Sequence, residues 1–163
     1  MKKSLVSILV LFSLSCSDPG LSPQERDFNI RMSYGVRGLN ELNTFQDVYT
    51  KDLILDGTVT IPMVLSDNEF HQIETKMLEI GFFGYPDTLT PIPQKTGVVS
   101  TPEAIIFFEV NDRGRTKYLL WECGDTSDRS EAVQLSELVA LILRIIEAKP
   151  EYRNAPPVHG GYL

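Results

Sequence analysis

The sequence is poor in the side chains from which most catalytic and metal centres are built. It has two histidines, His71 and His159, and two cysteines, Cys16 and Cys123, in 163 residues. It has no G-x-S-x-G elbow, no H-E-x-x-H, no G-x-x-x-x-G-K-[ST] and no G-x-G-x-x-G. The signatures of a serine hydrolase, a zinc peptidase, a phosphate-binding loop and a dinucleotide fold are therefore missing. Two cysteines cannot make a disulfide framework or a cysteine-rich zinc site. Basic residues are also scarce, 15 Lys and Arg against 22 Asp and Glu, for a formal charge of −7. A chain this acidic lacks the basic face that phosphate neutralisation demands, so a nucleic-acid partner is not expected.

The pairs that could suggest chemistry are incomplete. His71 and Glu74 lie three residues apart on a predicted helix, but two ligands are too few for a metal site. Asp125 and Asp128 lack the spacing and the glycine of a calcium loop and are read as helix-capping residues. Cys123 has Glu122 and Asp125 for neighbours, an environment that disfavours the thiolate, so it reads as a structural thiol. No catalytic residue, metal or cofactor is expected, and the chain is not read as an enzyme.

What is present begins at the N-terminus. Lys2 and Lys3 precede an apolar stretch from Leu5 to Leu14, with small Ser13 and Ser15 before Cys16. Ten residues span roughly 15 Å as a helix, about half of a bilayer core, so the stretch reads as a cleavable leader and not as a membrane span. Residues 1–15 are thus the expected signal peptide. Removing Lys2 and Lys3 with it leaves 13 basic against 22 acidic residues, a net charge of −9. Such a domain is repelled by an anionic bilayer, and membrane attachment would have to come from a lipid.

Leu14-Ser15-Cys16 resembles the lipobox of bacterial lipoproteins, in which the cysteine thiol receives a diacylglycerol. The large aliphatic residue usual three places before the cysteine is Ser13 here, and the spacing also fits ordinary cleavage, which would leave an unlipidated N-terminal cysteine able to bridge to Cys123. The resemblance implies a lipid anchor at Cys16, placing the protein on a membrane surface of the cell envelope. Residues 16–26, with Pro19, Gly20 and Pro23, then form a short tether.

The remainder, residues 27–150, reads as one domain, and 42% hydrophobic with 23% charged residues is the composition of a folded globule. Phe28, Ile30, Met32 and Tyr34 alternate with polar residues as in a half-buried strand ended by Gly35. After a polar stretch from Asn40 to Thr44, Val48–Leu55 and Thr58–Leu65 flank Asp56-Gly57, a two-residue hairpin signal, and Pro62 marks an edge. Ser66 with Glu69 forms a capping box for a helix whose stripe is Phe70, Ile73, Met77 and Ile80, stopped by Gly81. A second hairpin follows, Ala104–Val110 and Thr116–Glu122 around Asn111–Gly114. The last predicted helix runs from near Asp128 to Lys149, rich in buried-type residues but interrupted by Glu137, Arg144 and Glu147, which exclude a membrane span. Residues 151–163 read as an extended tail with Tyr152 and Tyr162 as docking points.

The expected fold is α+β, in the order βββαββα: an antiparallel sheet of about five strands with two helices on one face. Between Phe82 and Glu103 lies a connection with Pro86, Pro91, Pro93 and Pro102, longer than a compact domain ordinarily needs. Phe83, Tyr85, Leu89 and Ile92 are its candidate binding contacts.

The stretch from Leu39 to Asp52, the run Phe82-Phe83-Gly84-Tyr85-Pro86-Asp87 and the closing Gly160-Gly161-Tyr162-Leu163 are similar to those of an uncharacterised family of small bacterial lipoproteins. The resemblance implies a location and a domain boundary and no activity. The expected function is a non-enzymatic module that binds an envelope or extracellular protein or peptide through the open sheet face, a sheet edge or the Pro-rich loop. The alternative is a small-molecule- or glycan-binding, or inhibitor-like, domain lined by Phe45, Tyr49, Phe83, Tyr85 and Trp121.

Overall fold

A computed structural model describes Ser22 and residues 26–90, 104–122 and 130–162. The expected leader, Cys16, Ile92, Cys123, Asp125 and Asp128 lie outside the described residues. The described chain is α+β, built on one sheet with seven strands in the order β4-β3-β2-β1-β6-β7-β5. These are β1 (Phe28–Val36), β2 (Asn40–Asn43), β3 (Val48–Asp52), β4 (Thr58–Pro62), β5 (Thr88–Leu89), β6 (Ala104–Asp112) and β7 (Arg115–Glu122). Helices α1 (Asp67–Glu79), α2 (Ser130–Ala148) and α3 (Pro150–Asn154) complete it.

Two strands beyond the expected five are β2 and β5. The polar run Asn40–Asn43 has only Leu42 to bury, yet it pairs with β1 on one side and β3 on the other, with Leu42 and Tyr49 opposed in the core. Buried Thr44 ends it: Thr44 Oγ1 accepts from Ile30 N at 2.8 Å and donates within 3.1 Å of Ile30 O, standing in for the next ladder rung. β5 is two residues that pair parallel with β7, Leu89 opposite Trp121. It falls inside the stretch expected to be an irregular loop.

The first hairpin forms, but not with a two-residue turn. β3 and β4 close at Asp52 opposite Thr58, leaving the five residues Leu53–Gly57 between them. Leu53 N donates to Gly57 O at 2.8 Å, Ile54 N donates to the Asp52 carboxylate at 2.9 Å, and Ile54 takes φ 64°. The two-residue turn is instead Arg113-Gly114 in the second hairpin, with φ 49° and 80°, the paired positive angles whose twist suits adjoining strands. Pro62 does lie on an edge strand.

Helix α1 starts as its capping box dictates: Ser66 N donates to Glu69 Oε2 at 2.7 Å and Ser66 Oγ accepts from Glu69 N. It buries Phe70, Ile73 and Met77, and Gly81 at φ 65° turns the chain away. α2 buries Leu135, Leu138, Ile142 and Ile146 completely, while Val133 is exposed. Each large aliphatic side chain so buried is worth about 1.5–3 kcal/mol. Pro150 halts α2 because it disfavours helical backbone at Lys149, which takes ψ 135°, and then serves as the first residue of α3. The segment from Pro150 to Asn154 is therefore a third helix and not extended tail.

Both long helices pack against one face of the sheet. Ile30, Met32, Leu42, Ile106, Phe108, Val110, Leu119 and Trp121 join the α1 and α2 stripes in a single core.

Candidate functional site

Because the helices share one face, the alternate residues of each strand form a second face that none of the described helices covers. Register fixes its neighbours. One row across the sheet runs Asn43, Arg31, Glu109, Tyr118, and the next runs Thr60, Thr50, Glu41, Ser33, Phe107, Leu120. On the β1–β4 side the face is polar. Thr50 and Thr60 share a hydroxyl hydrogen bond of 2.9 Å, and Ser33 Oγ donates to Glu41 at 2.9 Å. Arg31 lies between two carboxylates, 3.0 Å from Glu109 and 3.8 Å from Glu41.

On the β6–β7 side the same face turns apolar. Phe107 and Tyr118 stack with ring centroids 6.3 Å apart and planes inclined by 20°. Ile105 and Leu120 flank them, both partly buried, while Tyr118 is 52% exposed. The alternation is what makes this surface: β6 is apolar on both faces, so Ile105 and Phe107 must lie opposite the core-facing Ile106 and Phe108.

The described part of the Pro-rich connection, residues 82–90, is held at several points. Phe83 is half-buried in a short turn of 3-10 helix, its ring edge-on to Phe82 and its face 3.6 Å from the Arg115 guanidinium carbon. The Tyr85 hydroxyl donates to Gln134 of α2, and Lys117 Nζ donates to Tyr85 O at 2.7 Å and to the Asp87 carboxylate. Burial pushes the Tyr85 phenol above its ordinary range, with Glu131 adding to the effect. Leu89 is 1% exposed, so it serves the core and presents no surface to a ligand. Phe83 and Tyr85 thus share one patch, Leu89 faces away from it, and Ile92 lies outside the described residues.

The sheet edge at β4 is open but blunted. Met63 N donates to Asp47 O at 2.8 Å, which makes Val48 and Pro62 a non-hydrogen-bonded pair. The backbone groups of Thr58, Thr60 and Pro62 therefore point outward, and Pro62 lacks an N–H to offer.

The side chains expected to line a pocket do not converge: Tyr49 on β3 and Trp121 on β7 are core residues with three strands between them. Tyr49 pairs instead with Tyr34, hydroxyl to hydroxyl at 2.6 Å, above the edge of Tyr152. Burial pushes the Tyr34 phenol up to about 12, and burial together with the Tyr34 hydrogen bond pushes Tyr49 further, so both are neutral donors and acceptors. His159 lies far along the chain from His71 and pairs with Asp56 at 2.7 Å on the surface. Among the described residues, no three His, Cys, Asp or Glu side chains cluster as a metal site.

No family model matches the chain, and no curated protein or solved structure is significantly similar to it. Residue geometry is therefore the ground for any functional reading. Sequence reasoning missed Phe107 and Tyr118 as surface residues. The one available signal was the nearly continuous apolar run of β6, broken by Glu109, which reads equally as a strand buried on both faces.

Proposed function

We infer that the chain is a non-enzymatic binding module, held by a lipid on Cys16 at a membrane surface outside the cytoplasm, which takes a protein or peptide on its helix-free sheet face. The observation that carries this reading is the stacked Phe107–Tyr118 pair with Ile105 and Leu120 on that face. Apolar patches ringed by polar groups are the usual mark of an interaction surface. The anchor rests on the N-terminal pattern through Cys16, which belongs to the small-lipoprotein resemblance. Where the tether enters, Arg26 pins it to the domain. Its guanidinium makes a two-pronged contact with Asp47 at 2.6 and 3.1 Å and lies 4.8 Å from the Phe70 ring centroid. Among the described residues no helix is long and apolar enough to cross a membrane.

A photo-crosslinking amino acid placed at Tyr118, at Leu120 and, as control, at exposed Leu78 on α1 tests the reading in envelope preparations of producing cells. One discrete protein adduct shared by the first two positions and missing from the third is expected. Adducts of equal pattern at all three positions, or none at the first two, would overturn it. The same aromatic pair beside Ser33, Glu41 and Arg31 also favours a second reading, a glycan laid across the strands. Binding on a glycan array that is lost in Tyr118→Ser would decide for it.

A further inference from the structure

The charges that border the aromatic pair on the helix-free face are unequal in number. Arg31 on β1 is the cation, and Glu41 on β2, Glu109 on β6 and Glu122 on β7 are the anions. Arg31 is committed to Glu109 at 3.0 Å, while its Nε, 3.8 Å from Glu41, makes no hydrogen bond among the described residues. Glu122, opposite Ile105 at the other end of the apolar strip, makes no ion pair among the described residues. Asn43 adds an acceptor. It opposes Arg31 in the register, is 3% exposed, and its Oδ1 receives no hydrogen bond among the described residues. The face therefore combines aromatic rings, surplus negative charge and an unmet acceptor, and it asks for a ligand that brings donors and positive charge.

We propose that the segment received on this face is cationic: an extended partner peptide in which lysine or arginine alternates with apolar residues. This deepens the reading above and rests on it. The argument is charge complementarity. A guanidinium or ammonium over Tyr118 gains from the negative face of the ring, with Glu109 opposite Tyr118 in the same row to form a charge-assisted hydrogen bond with it, and Glu122, two rows along β7, stands ready for a second cation. Among the side chains that point at the sheet, every second residue of an extended peptide, a cation over Tyr118 is followed by an apolar group on Phe107 and Leu120 and then by a cation at Glu122, so the two kinds alternate along the facing set while the residues between them stay in water. An acidic segment of the same apolar pattern meets repulsion from three carboxylates with only one guanidinium to offset it, and the domain's overall −9 adds to that repulsion.

The test uses the full-length chain and three fluorescently labelled decapeptides with serine at every second position and, at the positions between, Lys and Phe, Glu and Phe, or Ser and Phe by turns, followed by fluorescence anisotropy at low and moderate salt. The Lys-Phe peptide is expected to bind at least tenfold more tightly than the Glu-Phe peptide. Its affinity should fall three- to tenfold in Glu122→Gln, fall further in Tyr118→Ser, and weaken with salt. Melting curves of the two variants show that they remain folded. Binding of Lys-Phe that is unchanged in both variants marks general attraction to an acidic protein and overturns the proposal. Equal binding of all three peptides that is lost in Tyr118→Ser overturns the cationic preference while leaving the surface reading intact. Failure of every peptide to bind also overturns it, and the crosslinking at Tyr118 and Leu120 then judges the surface reading separately.

Discussion

Gly160 takes φ 90°, and a Cβ there would come within 2.8 Å of Leu55 Cγ. Around it the tail lies along the β3–β4 loop: His159 N donates to Leu53 O and Leu55 N donates to His159 O, each at 3.3 Å. Tyr162 donates to Asp52, which with Asp52 itself raises the tyrosine's pKa, and Lys51 Nζ donates to Pro156 O at 2.9 Å. Gly160→Ala is therefore expected to loosen the tail, with Leu55 amide exchange faster by roughly tenfold for about 1.4 kcal/mol of lost local stability. Adding Leu55→Ala should restore part of the protection, since it removes the collision and leaves the unfavourable φ. Unchanged exchange in Gly160→Ala would show that the tail is not seated this way. At the start of α1, Ser66→Ala should cost about 1 kcal/mol in chemical denaturation. Burial raises the pKa of Glu69, but Lys149 and Ser66 outweigh it, so the net shift is downward. A carboxyl lowered on folding stabilises above its unfolded value of roughly 4.3, and that contribution fades as pH falls through the folded value. The penalty of Glu69→Gln should thus be present at pH 7 and shrink at pH 3. An equal penalty at both would count against the ion pair.

Elements differ in how far their own residues define them. The capping box, the stripe of α1 and the alternation of β1 are local patterns, and each element forms where its pattern lies. β2 is different. Its four residues Asn-Glu-Leu-Asn carry no strand pattern, and it exists because β1 and β3 offer backbone on both sides and Thr44 closes its end. The hydroxyl pair Tyr34–Tyr49 joins β1 to β3 across this strand. Both phenols are raised on folding, so the stability they add is complete below the unfolded value of about 10 and is lost as pH rises through the folded values, about 12 for Tyr34. Tyr49→Phe should cost about 1 kcal/mol at pH 7 and flatten the alkaline limb of the pH–stability curve above pH 10. A limb as steep as that of the parent would exclude these phenols as its cause.

For the molecule as a whole, the arrangement of layers decides where binding can occur. Among the described residues the helices gather on one face and leave the other to the strands, and the apolar run of β6 leaves a half-covered strip there. The expected contacts at Phe83 and Tyr85 share a surface with Arg115 and Lys117 at the opposite layer, while Leu89 went into the core. The proposed lipid anchor acts on the entire chain. Under that proposal Cys16→Ser is expected to move the protein from the detergent phase to the aqueous phase on temperature-induced partitioning, because two acyl chains would give stable attachment and without them an acidic domain is repelled by a membrane. Unaltered partitioning would remove the lipid from the reading.

The sequence by itself determined the α+β class, both hairpins, the start and stop of α1 and the edge position of Pro62. Those follow from periodicity, caps and turn residues, which act over a few neighbouring positions. Only the tertiary structure decided that Asn40–Asn43 would be a strand, that Thr88–Leu89 would pair with β7, that Leu53–Gly57 would hold the tail, and that Phe107 and Tyr118 would stack outside the core. Each of these depends on partners distant along the chain, and a polar or two-residue segment has no local preference strong enough to announce them.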